Sequence, residues 1–518
     1  MKKFTGLVVF LAALVLGSYY GMGYLTEKKV KEDLKLVNQS EGINVEVVNY
    51  NRGWFTSEAL LNWHLQIPEH EIKTPDGQPK IVAAEDYQLN MPLTIYHGPV
   101  IIANKTVKFG LGYAHTDLVL PPKFADQFKN TFTPESTQPK LELSLLVSYL
   151  NNSNIDFSVP DFKLVSKNIN GGKLDWMGMT SATNVSSDRS KISGNLTVEG
   201  LRFVKDKTQT LMSNVTSEYN LHKSPTGIYL GDASLSFPSL SVTMGDQKLL
   251  ELSQFDVHSD TNIEEGLFHS QLKSSVEKII VNNKTYGPGV VAIGIRNLDA
   301  DVLAKINDQV NQMQQGNEQQ SQQAVLAILP QLPQLLSRGA EFEVSELSFA
   351  MPEGKIEGNL LVSLPKDKAA NPFELIQKIQ GNGKLKIPTL VLRNILTQSY
   401  KQKLSAPQQT QPQNIQQGIV QQMQQQTGQE ATTNQTTATI APTDSTTVNP
   451  APVDPSTVKP AADVMAQAAE MADKQLASMV QSGVLILQGN DYLIEMNFNQ
   501  GKLMVNGKPF DPAMLKMQ

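Results

Sequence analysis

The segment KLELSLLVSY, residues 140–149, places an apolar side chain at every second position: Leu141, Leu143, Leu145, Val147 and Tyr149. Successive side chains of an extended chain point to opposite sides, so this period of two predicts a strand with one apolar face and one wetted face. The same alternation recurs at residues 43–47, 59–67, 192–198, 356–364 and 492–505. Strands that are wetted on one face are typical of antiparallel sheets, and the sequence therefore predicts such a sheet.

Two of these strands have nearly the same sequence. KISGNLTV at 191–198 and KIEGNLLV at 355–362 share the pattern K-I-x-G-N-L-x-V. Any wetted strand with a glycine kink could look like this, and a duplicated β-unit would also explain it. Both interpretations stay open.

The amino terminus carries a long apolar run. Lys2 and Lys3 precede residues 4–25, which contain no charged residue. As a helix these 22 residues would span about 33 Å, enough for the hydrocarbon core of a bilayer. Tyr19, Tyr20 and Tyr24 are typical of an interfacial aromatic belt. We therefore predict an uncleaved anchor, although the glycines and Ser18 near its end keep signal cleavage open as the alternative.

Changes in composition divide the rest of the chain. The fold class predicted is mainly β with helices (α+β): an elongated antiparallel β-sheet ectodomain after one N-terminal transmembrane helix. The predicted parts are a transmembrane anchor at 1–25, a juxtamembrane helix at 26–40, a β-rich N-terminal ectodomain at 41–297, a helix-containing region at 298–405, a disordered Gln/Thr/Pro-rich insertion at 406–460, and a helix plus β-hairpin at 461–518 that completes the ectodomain.

Composition also excludes several functions. The net charge is -6, from 44 basic and 50 acidic residues, which argues against nucleic acid as a partner. Without any cysteine the chain has no disulfide, no thiolate catalysis and no cysteine metal site. The seven histidines lack metal-ligand spacing. No phosphate loop, Rossmann fingerprint or nucleophile elbow occurs, so we predict a non-enzymatic protein with no cofactor.

Several segments, in a fixed order, carry a family resemblance. After the charged start and the apolar run come NYNRGWFTSEA at 49–59, IYHGPV at 95–100, YGPG at 286–289, IRNLDADVLAKI at 295–306 and YLIEMNFNQGKLMVNGKPF at 492–510. In this order they resemble the YdgA-like family, bacterial envelope proteins built around a domain of unknown function. The chain departs from that pattern by inserting residues 406–460.

The resemblance implies a single-pass anchor in the bacterial inner membrane, with the bulk of the chain periplasmic, and it implies no reaction. It also implies structural roles for three groups. In the first, Arg52 and Gly53 form a turn, Trp54 and Phe55 cover the sheet, and the arginine stacks on an aromatic face. In the second, His97, Gly98 and Pro99 form another turn. The third group is Tyr286, Gly287, Pro288, Asn297, Leu298 and Asp299.

Three functions stay open at this point. The first is a non-enzymatic binding or scaffolding protein of the envelope, with the inner membrane, a second copy, a lipid or an envelope protein as partner. The second is an AsmA-like lipid-handling protein with an apolar groove, for which Leu60 and Leu146 on otherwise polar faces are slight hints. The third is a hydrolase with dispersed catalytic residues. A filled sheet interior would favour the scaffold, and an aliphatic groove would favour lipid handling.

Overall fold

A computed structural model describes residues 2–38, 43–67, 70–73, 79–82, 84–103, 105–119, 122–313, 328–366, 372–405 and 461–511. It confirms a mainly β fold with a large antiparallel sheet and a few helices. The predicted disordered insertion at 406–460 lies outside the described residues.

The helices are α1 Lys2–Val37, α2 Pro122–Thr131, α3 Ala300–Met313, α4 Leu332–Leu336, α5 Pro372–Lys378, α6 Thr389–Ser405 and α7 Ala461–Ser482, with a 3-10 turn at Leu329–Gln331. The strands are β1 Ile43–Arg52, β2 Thr56–Ile67, β3 His70–Lys73, β4 Pro79–Val82, β5 Glu85–His97, β6 Val100–Ala103, β7 Thr106–Phe109, β8 Gly112–Val119, β9 Lys140–Val147, β10 Ser153–Val159, β11 Phe162–Val165, β12 Lys173–Trp176, β13 Met179–Val185, β14 Lys191–Val198, β15 Leu201–Lys205, β16 Thr208–Met212, β17 Val215–Lys223, β18 Tyr229–Met244, β19 Gln247–Glu264, β20 Leu267–Val281, β21 Lys284–Tyr286, β22 Gly289–Asp299, β23 Glu341–Met351, β24 Gly354–Ser363, β25 Gln380–Pro388, β26 Ile486–Gln488, β27 Asp491–Asn499, β28 Lys502–Val505 and β29 Lys508–Pro509.

One sheet of 25 strands dominates the fold, and it is built from antiparallel neighbours. Its main path runs β1-β2-β5-β8-β9-β10-β13-β14-β17-β18-β19-β20-β22-β23-β24-β25-β27. The terminal hairpin β27–β28 joins this sheet through β25, as its small size predicts. Two short hairpins, β3–β4 and β6–β7, form separate sheets.

The strand register places apolar residues on one side of this sheet. Two rows of facing residues cross twelve strands, from β9 to β25, and neither row contains a charged residue. We call these rows the apolar face. The first row is Leu145, Ile155, Thr183, Gly194, Tyr219, Ala233, Ser259, Leu272, Ile293, Val344, Leu360 and Gly383; the second is Leu143, Phe157, Ser181, Leu196, Ser217, Leu235, Val257, Ser274, Val291, Leu347, Gly358 and Leu385.

The residues between these rows point to the opposite side, which we call the polar face. The row that crosses it from β9 to β23 is Ser144, Asp156, Ala182, Asn195, Glu218, Ser234, His258, Lys273, Ala292 and Glu346. The predicted alternation of apolar and wetted positions thus extends through the sheet as two chemically distinct sides.

The repeated motif places its glycine on the apolar face in both strands, at Gly194 in β14 and Gly358 in β24. A Cβ at Gly194 would lie 2.5 Å from the Tyr219 hydroxyl, and one at Gly358 would lie 3.0 Å from Leu385 Cδ1. Both glycines therefore let a larger side chain of the next strand lie over the sheet. This packing explains the shared glycine, while the duplication itself stays a prediction.

Helix α1 covers only the first part of the sheet. Beneath it Val45, Leu61 and Met91 form one buried cluster, with Leu34 of the helix packed against them. A second cluster of Ala59, Ile95 and Ala114 packs against Val30 of the helix. These residues come from β1, β2, β5 and β8 and lie under the helix, so this end of the sheet has a conventional core of two layers.

Beyond β10 the apolar face is not buried in this way. Leu61 beneath α1 is 2% exposed, whereas Leu235 and Leu272 on the apolar face are 36% and 40% exposed. In residues 166–299, all of which the structure describes, Leu230 is the one fully buried apolar side chain. A second layer would cover these side chains from above and bury them fully. Because they stay partly exposed, this stretch of sheet is a single layer over the described residues.

The chain forms two compact units. The first is Met1–Lys386 with Leu493–Pro509, and it contains α1 and nearly all of the large sheet. The second is Ile387–Tyr492 with Phe510–Gln518. Within the second unit α6 and α7 are joined by an ion pair in which Arg393 Nε and Nη2 donate to the two carboxylate oxygens of Asp473, at 2.6 and 2.8 Å.

The amino-terminal segment forms one helix rather than two. The sequence predicts an anchor at 1–25 and a separate juxtamembrane helix at 26–40, but α1 runs from Lys2 to Val37 because neither proline nor glycine interrupts residues 24–41. Among the residues that the structure describes, no helix combines the length and the apolar character that crossing a membrane requires.

Candidate functional site

Arg52 connects the end of β1 to helix α1. Its Nη1 donates to Glu27 Oε2 at 3.0 Å and its Nη2 donates to the Tyr20 hydroxyl at 3.1 Å. The guanidinium also lies 5.0 Å and 5.6 Å from the ring centres of Tyr20 and Tyr24. The arginine is therefore paired with a carboxylate and stacked on aromatic rings, and all of these partners belong to the helix.

Trp54 and Phe55 follow Arg52 in the bend between β1 and β2. Their packing over the sheet stays a prediction, and the ring contacts that the structure shows for both are with α1. The Phe55 ring lies 4.9 Å from the Tyr19 ring, and the Trp54 ring lies 5.4 Å from the Tyr20 ring. The amide of Gly53 donates to the Thr56 carbonyl at 2.9 Å and closes the bend. Both rings stay about half exposed.

The second predicted turn contacts the same part of the helix. Gly98 has a φ of +124°, and a Cβ on it would lie 1.9 Å from Tyr19 Cε1. From the other side, a Cβ on Gly23 would lie 2.7 Å from His97 Cε1. The helix and the turn thus approach each other at two glycines, where any larger residue would separate them. Pro99 follows, and its carbonyl accepts a hydrogen bond from the Tyr149 hydroxyl.

His97 is fully buried within this contact. Its Nε2 lies 3.0 Å from Ser57 Oγ, and its Nδ1 lies 3.2 Å from the Tyr19 carbonyl. Since a carbonyl only accepts, Nδ1 carries the proton and Nε2 accepts from Ser57. Burial lowers the pKa of His97, outweighing its hydrogen bonds to backbone groups.

The Ser57–His97 pair resembles half of a hydrolase triad, but its other partner is a main-chain carbonyl rather than a carboxylate. Serine and histidine are both fully buried, and neither lines the cavity beneath α1. Over the described residues no group of three His, Asp or Glu side chains could hold a metal ion. The arrangement therefore fastens the helix to the sheet.

An apolar cavity of about 200 Å³ lies between α1 and the sheet. The helix contributes Thr26, Lys29, Val30 and Leu34, and the sheet contributes Leu61, Trp63, Met91, Leu93, Ile95, Gly112, Ala114, Leu143, Leu145 and Val147. A second cavity of about 290 Å³ shares Thr26, Lys29 and Val147 with the first. Leu143 and Leu145 also begin the two rows of the apolar face, so the cavity lies where the covered part of the sheet meets its open part.

Trp63 adds a polar group to this lining. Its Nε1 is buried and has no hydrogen-bond partner among the described residues. A buried indole N–H ordinarily finds an acceptor. The cavity is thus lined by aliphatic side chains, with one lysine and an unpaired indole donor among its residues.

The third predicted group lies in another part of the sheet. Tyr286 ends β21, the amide of Gly287 donates to the Ala350 carbonyl at 2.7 Å, and the Gly287–Pro288 peptide bond is cis. Asn297 has a φ of +61° and donates to the Gly339 carbonyl at 3.0 Å, and Leu298 pairs with Phe268. Asp299 caps α3 by accepting a hydrogen bond from the Val302 amide at 3.1 Å.

The structure therefore brings the first two groups together and keeps the third apart. The sequence analysis missed their shared partners on α1. Tyr20, Tyr24 and Glu27 lie at helical spacing on one face of that helix, and this spacing was the available signal. The sequence also carries no sign that the apolar face is uncovered, because apolar and polar residues alternate in the same way in a covered and in an uncovered strand.

Comparison with known proteins gives one family and one relative. The model of a family described as bacterial protein of unknown function (DUF945) matches residues 1–513. Protein YdgA of Escherichia coli (strain K12) is 21% identical over 428 residues, which cover 77% of this chain and 83% of that protein. Both matches confirm the resemblance to the YdgA-like family.

Proposed function

Since this chain belongs to the YdgA-like family of bacterial proteins of unknown function (DUF945), we propose a function from its own surfaces. It is a non-enzymatic protein anchored in the inner membrane, with the bulk of the chain in the periplasm, and it binds lipid acyl chains on its apolar face. The observation that carries this proposal is the single layer of sheet beyond β10, whose apolar side no other described residue buries.

The size of the apolar face supports a binding role. Twelve strands at about 4.8 Å spacing make it roughly 50 Å long along the sheet, and two rows make it roughly 13 Å wide. These rows alone cover about 650 Å² of sheet, which is comparable with the largest apolar patch of a typical monomer, about 300–600 Å². A third row extends the area with Phe237, Phe255, Val276, Gly289, Phe349 and Ile356.

The chemistry of the face favours acyl chains over a protein partner. A protein interface has a polar rim and about one hydrogen bond per 100–200 Å². The two rows offer aliphatic, aromatic, glycine and hydroxyl side chains with no charge, while the row that crosses the polar face carries Asp156, Glu218, Lys273 and Glu346. Acyl chains need no hydrogen-bond partner, so a long uncharged surface suits them.

The position of α1 supports the membrane as the source of lipid. Residues 4–25 contain no charge and are long enough for a bilayer core of about 30 Å. The same helix continues to Val37 and covers the first strands of the sheet. The cavity beneath α1 shares Leu143 and Leu145 with the apolar face, so the covered and the open part of the sheet present one continuous apolar lining.

A matched pair of double variants tests the proposal. Leu235→Glu with Leu272→Glu adds two charges to the apolar face, at sites exposed enough for the carboxylates to reach water. Thr216→Glu with Ala292→Glu adds the same charges to the polar face of neighbouring strands. Each full-length protein is purified from membranes, and its phospholipids are counted by mass spectrometry.

Lipids around the anchor are common to both double variants, so the difference in lipid count between the variants reports on lipid bound to the sheet. We expect the apolar-face variant to carry at least twofold fewer lipids than the polar-face variant, with the β-sheet circular dichroism spectrum unchanged. Equal lipid counts would contradict the proposal. If the apolar-face variant instead lost a co-purifying protein and kept its lipids, the result would favour the envelope scaffold.

A further inference from the structure

We propose that the outer side of the β6–β7 hairpin, together with Trp54 and Phe55, sits in the membrane surface where α1 leaves the bilayer. This inference rests on the proposed anchor. It adds a second membrane contact, made by the β6–β7 hairpin and the β1–β2 bend rather than by α1.

The hairpin has one buried side and one exposed apolar side. Val100 pairs with Phe109 and Ile102 pairs with Val107, so these four side chains share a side. Ile102 and Phe109 are 71% and 62% exposed. The other side carries Ile101 and Ala103, which are buried in a cluster with Tyr113. Four large apolar side chains thus lie on a hairpin whose outer side no other described residue buries.

The hairpin is held at a defined level of α1. The Tyr19 hydroxyl donates to the Val100 carbonyl at 2.7 Å, and the Tyr19 ring lies against Gly98, just before the hairpin. The Phe55 ring meets the same tyrosine edge-to-face. The hairpin and the β1–β2 bend therefore contact the helix at one level.

That level lies next to an uncovered part of α1. Residues 14–17 are all exposed, and Tyr19 is the first residue after them whose side chain hydrogen-bonds to the hairpin. Residues 4–18 alone would span about 22 Å as a helix. This is about 8 Å less than the hydrocarbon core of a typical bilayer, about 30 Å. A hairpin with four-residue strands is about 13 Å long, so partial immersion of its apolar side makes up the missing length.

Two further features fit the membrane surface as the occupant. Trp and Tyr are enriched at the boundary between acyl chains and headgroups, which is where Trp54, Tyr19 and Tyr20 would lie. An exposed lysine, Lys105, lies between the two strands of the hairpin and can reach anionic headgroups. Without the hairpin contact, the short span would have to thin the bilayer, at a cost of fractions of a kcal/mol for each ångström.

The absence of native cysteine makes a direct test simple. Val107→Cys on the outer side of the hairpin, and Asn220→Cys on the polar face of β17 as control, are each labelled with an environment-sensitive dye. The full-length proteins are placed in vesicles of phosphatidylethanolamine and phosphatidylglycerol. Quenching by nitroxide-bearing acyl chains and by aqueous iodide is then compared. Ile102→Cys, on the paired strand, serves as an independent second probe.

We expect lipid quenching of the Val107 and Ile102 probes to exceed that of the Asn220 probe severalfold, with the reverse order for iodide. If all three probes respond alike to both quenchers, the inference is overturned. Shielding of the hairpin probes from iodide without lipid quenching would assign this surface to a protein partner and would also overturn it. Resistance of the protein to carbonate extraction reports separately on the anchor, so failure of the hairpin contact and failure of the anchor are distinguishable.

Discussion

Truncating one leucine under α1 and one on the apolar face should have very different costs. Leu61→Ala removes a side chain that is 2% exposed and lies between the helix and the sheet. A cavity remains there, and such substitutions cost about 3–4 kcal/mol. Leu235→Ala removes a side chain that is 36% exposed, on the single layer of sheet.

The expected cost at Leu235 follows from its exposure. Three methylene equivalents at about 0.8 kcal/mol each give about 2.4 kcal/mol for a fully buried leucine. With roughly two thirds of that burial, the loss is about 1.5 kcal/mol, and no cavity forms because water already reaches the site. The two substitutions should therefore differ by about 2 kcal/mol in the free energy of unfolding.

Equilibrium unfolding of the full-length protein in guanidinium chloride measures this difference. The fluorescence of Trp63 and Trp176 in the large sheet reports on unfolding, and Ser234→Ala on the polar face is the control, with an expected change below about 0.5 kcal/mol. If Leu235→Ala costs as much as Leu61→Ala, a second layer covers the apolar face and the reasoning is refuted.

Three further predictions concern the contact between α1 and the turns. Arg52→Ala should weaken the docking of α1 by about 1–2 kcal/mol, because it removes an ion pair and the stacking on two tyrosines. Faster hydrogen exchange in residues 20–34 would show this loss, and Arg52→Lys should lose about half as much. Unchanged exchange in both variants would contradict the role of Arg52 in docking the helix. Gly98→Ala should destabilise the protein by more than about 2 kcal/mol in thermal unfolding, since its Cβ would overlap the Tyr19 ring. Gly245 also has a positive φ but nothing within 4 Å of an added Cβ, so Gly245→Ala should cost about 1 kcal/mol. Equal costs for the two substitutions would contradict a close contact between Gly98 and the helix. Burial lowers the pKa of His97 below its value in the unfolded chain, so the stability that neutral His97 contributes is complete above about pH 6.5 and is lost as the pH falls towards the folded pKa. Urea unfolding should therefore show a lower free energy of unfolding at about pH 5.5 than at about pH 7.5. His97→Gln should reduce this difference, whereas His222→Gln, at an exposed site, should leave it unchanged.

Local patterns in the sequence identify the strands well. The alternation at 141–149 and 192–198 corresponds to β9 and β14, and the segments at 356–364 and 492–498 correspond to β24 and β27. These predictions succeed because a period of two is a property of neighbouring residues and needs no knowledge of the fold. Caps are local too, as Asp299 shows by accepting from the Val302 amide three residues later.

Long-range contacts could not be predicted in the same way. Arg52 is 25 residues from Glu27, and His97 is 78 residues from Tyr19. Nothing near Trp54 indicates that its partner is a helix rather than the sheet. Whether an apolar face is covered depends on what the rest of the chain places above it, so the open face of β10–β25 had to come from the structure.

The most direct test of lipid binding on the apolar face is a photo-crosslinking scan in living cells. A benzophenone amino acid is placed at Ile155, Leu235, Leu272 and Phe342 on the apolar side, and at their chain neighbours Asp156, Ser234, Gln271 and Glu341 on the polar side. After irradiation, mass spectrometry identifies what is attached to each site. We predict phospholipid adducts at the four apolar sites and none at their neighbours. Protein adducts at the apolar sites, or lipid adducts that do not follow this period of two, would contradict it.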